Sequence, residues 1–153
     1  MKSSYISRSA SDTEAYAKQL GQNLKGGEII ELISDLGGGK TTFVRGLAMG
    51  IGSNDTVSSP SFTIHNVYKS DNLSIFHYDF YRLNDPGILI HELREAIEDP
   101  NVVVAIEWSD IVKDAIELPH IVISMKPTDE DYREIVIDVP DNYKHINLKK
   151  LTS

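Results

Sequence analysis

Glu28-Ile29-Ile30-Glu31-Leu32-Ile33, then Ser34-Asp35-Leu36-Gly37-Gly38-Gly39-Lys40-Thr41, then Thr42-Phe43-Val44-Arg45-Gly46-Leu47-Ala48-Met49 are the residues on which the fold turns. The first stretch is rich in isoleucine and reads as a strand. The last carries apolar residues at Phe43, Val44, Leu47 and Ala48, and so reads as a helix from Lys40 to about Met49 that Gly50 and Gly52 end. Between them lies a glycine-rich turn. A strand, a tight loop and a helix in that order are the setting in which a Gly-Lys-Thr sequence binds phosphate. Glycines let the backbone wrap closely, N–H groups and the helix dipole meet the anion, and one ammonium neutralises it. Lys40 is therefore expected to reach the β- and γ-phosphates of ATP, and the Thr41 hydroxyl to ligate Mg2+. Ser34 stands where the pattern has its first glycine. If that position required a positive φ, Ser34 would cost roughly 1 kcal/mol or more.

Working outward, Ser11-Asp12-Thr13-Glu14 has capping-box spacing and predicts a helix that runs to about Leu24 and stops at Gly26-Gly27. Ser61 to Lys69 and Leu73 to Phe80 read as strands joined by a short turn. Asp85 and Pro86 read as the N-cap and first position of a helix through Leu89, Leu93 and Ile97 to about Glu98. Asn101 to Ile106 is an unbroken β-branched run, as a buried strand requires. His120 to Met125 and Arg133 to Val139 read as a hairpin, and Tyr143 to Leu151 as a short last helix. Two strand pairs have connections too short for crossover helices. The class is therefore α/β, with a mixed parallel and antiparallel sheet flanked by helices. Residues 1–153 are expected to form a single P-loop ATPase domain.

Composition narrows the chemistry. The 153 residues include 23 Asp and Glu against 15 Lys and Arg, a net charge of −8. Such a surface repels bare phosphate backbones and disfavours independent binding of nucleic acid. With no cysteine, disulfides, zinc–thiolate sites and thiol nucleophiles are excluded. The N-terminal residues lack a signal-peptide core, and no apolar run is long enough for a bilayer, so a cytoplasmic protein is expected.

A magnesium site needs carboxylates or water. Glu107 follows the buried strand directly, where a P-loop fold places an acid that holds magnesium or orients water. Asp79 is a second acid, on the strand face it shares with His77; Phe76, Tyr78 and Phe80 alternate onto the other face. A salt bridge to Arg82 is an equal reading of Asp79, and His77 reads as structural. Ser58-Ser59-Pro60-Ser61-Phe62-Thr63 resembles a segment that orders around a γ-phosphate, although a plain polar loop fits its pattern better. Trp108, beside Glu107, is a candidate for lining the site or facing a partner.

Four segments now stand in order: Ser34 to Thr42, Val57 to Thr63, His77 to Leu83, and Ile106-Glu107-Trp108. Together they resemble the bacterial TsaE (YjeE) family, the ATPase of tRNA threonylcarbamoyladenosine biosynthesis, from the first helix to the strand after Trp108, thinning beyond Pro119. Two departures are Ser34 for a glycine and Ser61 for the threonine of a Ser-Pro-Thr motif. The resemblance implies a P-loop fold that binds ATP and magnesium and hydrolyses ATP slowly alone. It implies action through TsaB and TsaD homologues, which transfer the threonylcarbamoyl group, and contact with tRNA only through that complex. It implies no membrane role. By motif, Asp35, Leu36, Gly37, Gly38, Gly39, Lys40, Thr41 and Thr42 would hold the nucleotide. Thr41 and Glu107 would hold the metal, Glu107 and Asp79 would be catalytic, and Trp108, Ser59 and Ser61 are further candidates. A P-loop small-molecule kinase is a weaker alternative, because Arg8, Arg45, Arg82, Arg94 and Arg133 do not cluster in a lid. A nucleotide-binding regulatory module without hydrolysis is the third class.

Overall fold

The computed structural model describes residues 1–35, 39–60, 63–81, 87, 89–107, 110, 112–113 and 116–151. Among them the elements run β1 (Lys2–Ser7), α1 (Ala10–Gly21), β2 (Ile29–Ile33), α2 (Lys40–Gly50), β3 (His65–Lys69), β4 (Ser74–Asp79), α3 (Leu89–Glu98), β5 (Val102–Glu107), β6 (Ile121–Pro127) and β7 (Arg133–Asp138). A 3-10 turn at Leu148–Lys150 follows. The strands form one sheet in the order β1-β7-β6-β2-β5-β4-β3. β6, β2, β5 and β4 are mutually parallel; β3 pairs antiparallel with β4, β7 antiparallel with β6, and β1 antiparallel with β7. The mixed sheet expected from the short connections is the one observed.

β5 shows why its sequence carries no polar alternation. All six of its residues are buried, because both faces of the sheet are covered. Residues of α1 and α2 pack with Ile30, Leu32, Val103, Ala105, Ile121 and Ile123 in one core. Leu93 and Ala96 of α3 pack with Tyr78, Phe80, Val102, Val104 and Ile106 in the other. The aromatic face expected of β4 lies in this second core, with Tyr78 and Phe80 buried and Phe76 partly so.

Helix α1 differs from the sequence expectation at both ends. Its N-cap is Ser9, whose hydroxyl accepts from Asp12 N, and Asp12 Oδ2 in turn accepts from Arg8 N at 3.1 Å. The Ser11 to Glu14 box is therefore not used; the hydroxyl and carboxylate that cap the helix lie two residues earlier. The helix closes at Gly21 rather than near Leu24, although Tyr16, Leu20 and Leu24 all reach the core. The Ser61 to Lys69 strand begins, among the described residues, only at His65, after Ile64 takes a positive φ of 69°. The Asp85 and Pro86 cap lies outside the described residues. The proposed last helix reduces to the 3-10 turn at Leu148–Lys150.

That terminal segment is held in place by buried polar bonds. Tyr143 Oη accepts from Ile29 N at 3.1 Å, and His145 Nε2 meets Glu28 Oε2 at 2.6 Å. Glu28, 1% exposed, also accepts from Lys25 N and Gly26 N. β1, which the sequence reading missed, pairs along β7, and Met1 and Val139 exchange backbone bonds. Its strand signal is weak because four of its six residues are serine or lysine.

α1 and α2 cross with almost no side chain between them. A Cβ on Gly46 would sit 2.4 Å from Glu14 O, and one on Gly50 would sit 2.4 Å from Lys18 O. Gly46→Ala is expected to destabilise the fold by about 1–3 kcal/mol through overpacking against backbone that cannot yield, read as a lower urea midpoint with an unchanged slope. Alkaline pH supplies a second test. Burial first, and the Glu92 carboxylate second, push the Tyr78 hydroxyl up to about 12. Tyrosine in the unfolded chain ionises near 10. The fold therefore favours the protonated phenol: this stability is complete below about pH 10 and is lost as pH climbs towards 12. Tyr78→Phe is expected to make unfolding less pH-dependent between about pH 10 and 12. Some dependence should remain, because Tyr5, Tyr16 and Tyr143 are raised as well.

Candidate functional site

The site begins where β2 ends. α2 starts at Gly39, whose φ of 98° is left-handed. Among the described residues only Arg133 Nε, 4.0 Å away, approaches where a Cβ would stand, and the left-handed conformation itself favours glycine here. No side chain caps α2, and its first turn carries no acidic residue. The first backbone bond is Phe43 N to Gly39 O at 3.0 Å, so the preceding amides have no acceptor within the helix. An uncapped helix start of this kind favours an anion. Ser34 is not among the residues with positive φ. The strain that a serine would suffer at a left-handed first position therefore does not arise.

Lys40 is only 7% exposed. Its Nζ donates to Ser34 O at 3.2 Å and lies 3.5 Å from Glu107 Oε1. A buried ammonium requires such partners, because desolvation otherwise makes it costly. Glu107 closes β5 at 3% exposure, and Asp79 closes β4 at 5%. The two strands are parallel and in register, Asp79 opposite Glu107 and His77 opposite Ala105. Paired residues of neighbouring strands share a face, so both carboxylates stand on the side of the sheet that α2 covers. Asp79 Oδ1 accepts from Tyr81 N at 3.0 Å, which fixes one of its oxygens.

Of the residues singled out from sequence, Lys40, Asp79 and Glu107 thus come together. Thr41 and Thr42 lie half-buried in the first turn of α2, and Asp35 is exposed at the end of β2. Ser59 is exposed, in a segment tied to β3 by Tyr68 Oη donating to Ser58 O at 2.8 Å and by Asn66 Nδ2 donating to the same oxygen at 3.3 Å. Leu36, Gly37, Gly38, Ser61 and Trp108 lie outside the described residues, as does Arg82, the alternative partner of Asp79.

Two features escaped sequence reasoning. His77 is wholly buried, with its Nε2 2.6 Å from Glu107 Oε2. The available signal was its position two residues before Asp79 on one strand face. The second is a polar cavity of about 220 Å³ beside the loop, lined by Ser7, Ser9, Thr13, Gly39, Thr42 and Arg133 among others. No local motif announces it, because β1, α1, α2 and β7 each contribute to its wall.

Among the described residues, no three His, Asp or Glu side chains form a metal cage. Asp79 and Glu107, with the hydroxyl of Thr41 next to Lys40 in the first turn of α2, make a partial oxygen donor set. Magnesium commonly accepts one or two carboxylates and takes its other ligands from phosphate and water. The donors present fit that pattern.

A family model described as threonylcarbamoyl adenosine biosynthesis protein TsaE matches residues 7–135. A Rickettsia typhi protein described as tRNA threonylcarbamoyladenosine biosynthesis protein TsaE is 36% identical over 126 residues, covering 82% of this chain and 87% of its own. A Bacillus subtilis protein of the same description is 34% identical over 131 residues, covering 86% and 82%. A crystal structure of Bacillus subtilis YdiB aligns with a TM-score of 0.77 at 28% identity, covering 95% of this chain and 91% of that one.

The central ion pair can be tested without any ligand. Lys40→Met leaves the buried Glu107 carboxylate without its ammonium partner, and should lower stability by about 3 kcal/mol. Removing both charges in Lys40→Met/Glu107→Gln should recover most of that loss in a double-mutant cycle. Additive losses in chemical denaturation would show that the two groups are not coupled.

Proposed function

The chain belongs to the TsaE family, and from that premise we propose that it is the ATP-binding and ATP-hydrolysing subunit of the machinery that makes tRNA threonylcarbamoyladenosine. The observation that carries the reading is the buried Lys40 ammonium, 3.5 Å from Glu107 at the start of an uncapped helix, with Asp79 on the adjoining strand end. This arrangement suits a polyanion with a divalent cation. Backbone N–H groups at the start of α2 would bind the phosphate oxygens, and Lys40 would turn from Glu107 towards the β- and γ-phosphates. The hydroxyl-lined cavity next to Gly39 and Thr42 has room for the rest of the nucleotide, with Arg133 on its wall.

Thr41, Glu107 and Asp79 are the residues that would hold magnesium. The ion, when bound, neutralises charge that develops on the transferred phosphoryl group. Glu107 and Asp79 would also orient the attacking water, by accepting its hydrogens and holding it in line. Water is then the acceptor of the phosphoryl group, and the threonylcarbamoyl transfer is left to TsaB and TsaD homologues. The net charge of −8 favours docking on a basic protein surface over direct contact with tRNA. No described helix is long and apolar enough to cross a membrane, in keeping with work in the cytoplasm beside the tRNA.

Phosphate release from ATP and magnesium, measured with and without a purified TsaB–TsaD pair, tests the proposal. Stimulation by the pair is expected, and a phosphorylated metabolite instead of free phosphate would favour a kinase. Lys40→Ala should weaken ATP binding by about 2–5 kcal/mol, the usual cost of removing a buried charge partner. Glu107→Gln should bind ATP and lose turnover; wild-type turnover in that variant refutes its assignment.

A further inference from the structure

His77 presents two ring nitrogens in very different settings. Nε2 lies 2.6 Å from Glu107 Oε2, in a wholly buried contact. Nδ1 is buried and has no hydrogen-bond partner among the described residues. The ring is 0% exposed and stands in register with Ala105. Tyr68 lies near the ring, with centroids 6.3 Å apart.

The tautomer follows from these surroundings. A neutral imidazole carries one N–H and one lone pair. With the proton on Nε2, the ring donates to a carboxylate oxygen, and the unpartnered Nδ1 has only a lone pair. With the proton on Nδ1, a buried N–H would lack an acceptor and the Nε2 lone pair would face a carboxylate. The first arrangement satisfies the donor and the second wastes it.

Glu107 is thereby divided into two unlike oxygens. Oε2 is engaged by His77, and Oε1 faces Lys40 at 3.5 Å. We propose that His77 is the positioning residue of Glu107: its Nε2–H locks Oε2 and fixes the plane of the carboxylate, so that Oε1 alone is offered to the nucleotide side of the site. The need arises when Lys40 turns to the phosphates. Glu107 then loses its cation, and at 3% exposure it has little solvent to replace it. The imidazole N–H remains and keeps the carboxylate from rotating. This role rests on the proposed ATP site, and it concerns orientation rather than proton transfer, because the wholly buried ring acts through Glu107.

Glutamine and asparagine separate the role from mere filling. A glutamine amide nitrogen reaches about as far as Nε2, an asparagine amide only as far as Nδ1. His77→Gln should keep turnover within about threefold of wild type. His77→Asn and His77→Leu should lose about ten- to hundredfold in kcat, the usual effect of removing a partner that orients a ligating group, with the KM for ATP changed by less than about threefold. Long-range proton–nitrogen NMR of the ring-labelled wild type should show a proton on Nε2, and this holds even if a variant fails to fold. A ring whose Nε2 carries no proton overturns the proposal, as does equal activity in the Gln and Asn variants. If the wild type hydrolyses no ATP under any condition, the ATPase reading fails on its own. The positioning role is then read from the magnesium-dependent gain in affinity for a non-hydrolysable ATP analogue. The Gln variant should keep that gain and the Asn variant should lose it; no gain in the wild type overturns the role.

Discussion

An ammonium taken out of water must be met by an anion, and Lys40 meets Glu107. Much of the site's design follows from that single requirement. The lysine sits at the first turn of a helix and the glutamate at the last position of a strand. The pair therefore ties the loop after β2 to the neighbouring strand. It also holds both groups in a state that a competing anion can take over. Under the proposed function, a phosphate arriving at the helix start would draw Lys40 away from a carboxylate already engaged elsewhere.

The sheet exists to bring those two ends together. Parallel strands place all their carboxyl ends on one edge, and β2, β5 and β4 are parallel neighbours. The antiparallel pairings outside them widen the sheet. On the covered face, α2 is held against α1 by contacts made through glycine, so the helix that carries Lys40 has little freedom to shift sideways. Precision at the ammonium thus depends on residues with no side chain at all.

Much of this was legible in the sequence, for definite physical reasons. A β-branched run buried on both faces has no alternative to a central strand, and Gly39-Lys40-Thr41 between a strand and a helix has few uses besides phosphate. Glu107 and Asp79 could be placed at strand ends because the apolar runs before them define where those strands stop. What stayed hidden depended on distant segments. β1 is made largely of polar residues and becomes a strand only because β7 offers it an edge. Ser9 competes with Ser11 for one helix start, and spacing alone does not choose between two hydroxyls two residues apart. The link from His77 to Glu107 crosses 30 positions and two strands. A single histidine next to an acid gave no sign of which acid it would serve.

The bonds at the far end of the chain carry a different lesson. The family match ends at residue 135, yet Tyr143 and His145 reach back to cover the start of β2. A chain trimmed to the matched stretch would lose β1 almost entirely, half-strip β7, and uncover Glu28, a carboxylate now almost wholly shielded. The stretch that the family model matches is thus smaller than the unit that folds. The strand leading into the glycine-rich loop is anchored, at its opposite end, by residues beyond that stretch.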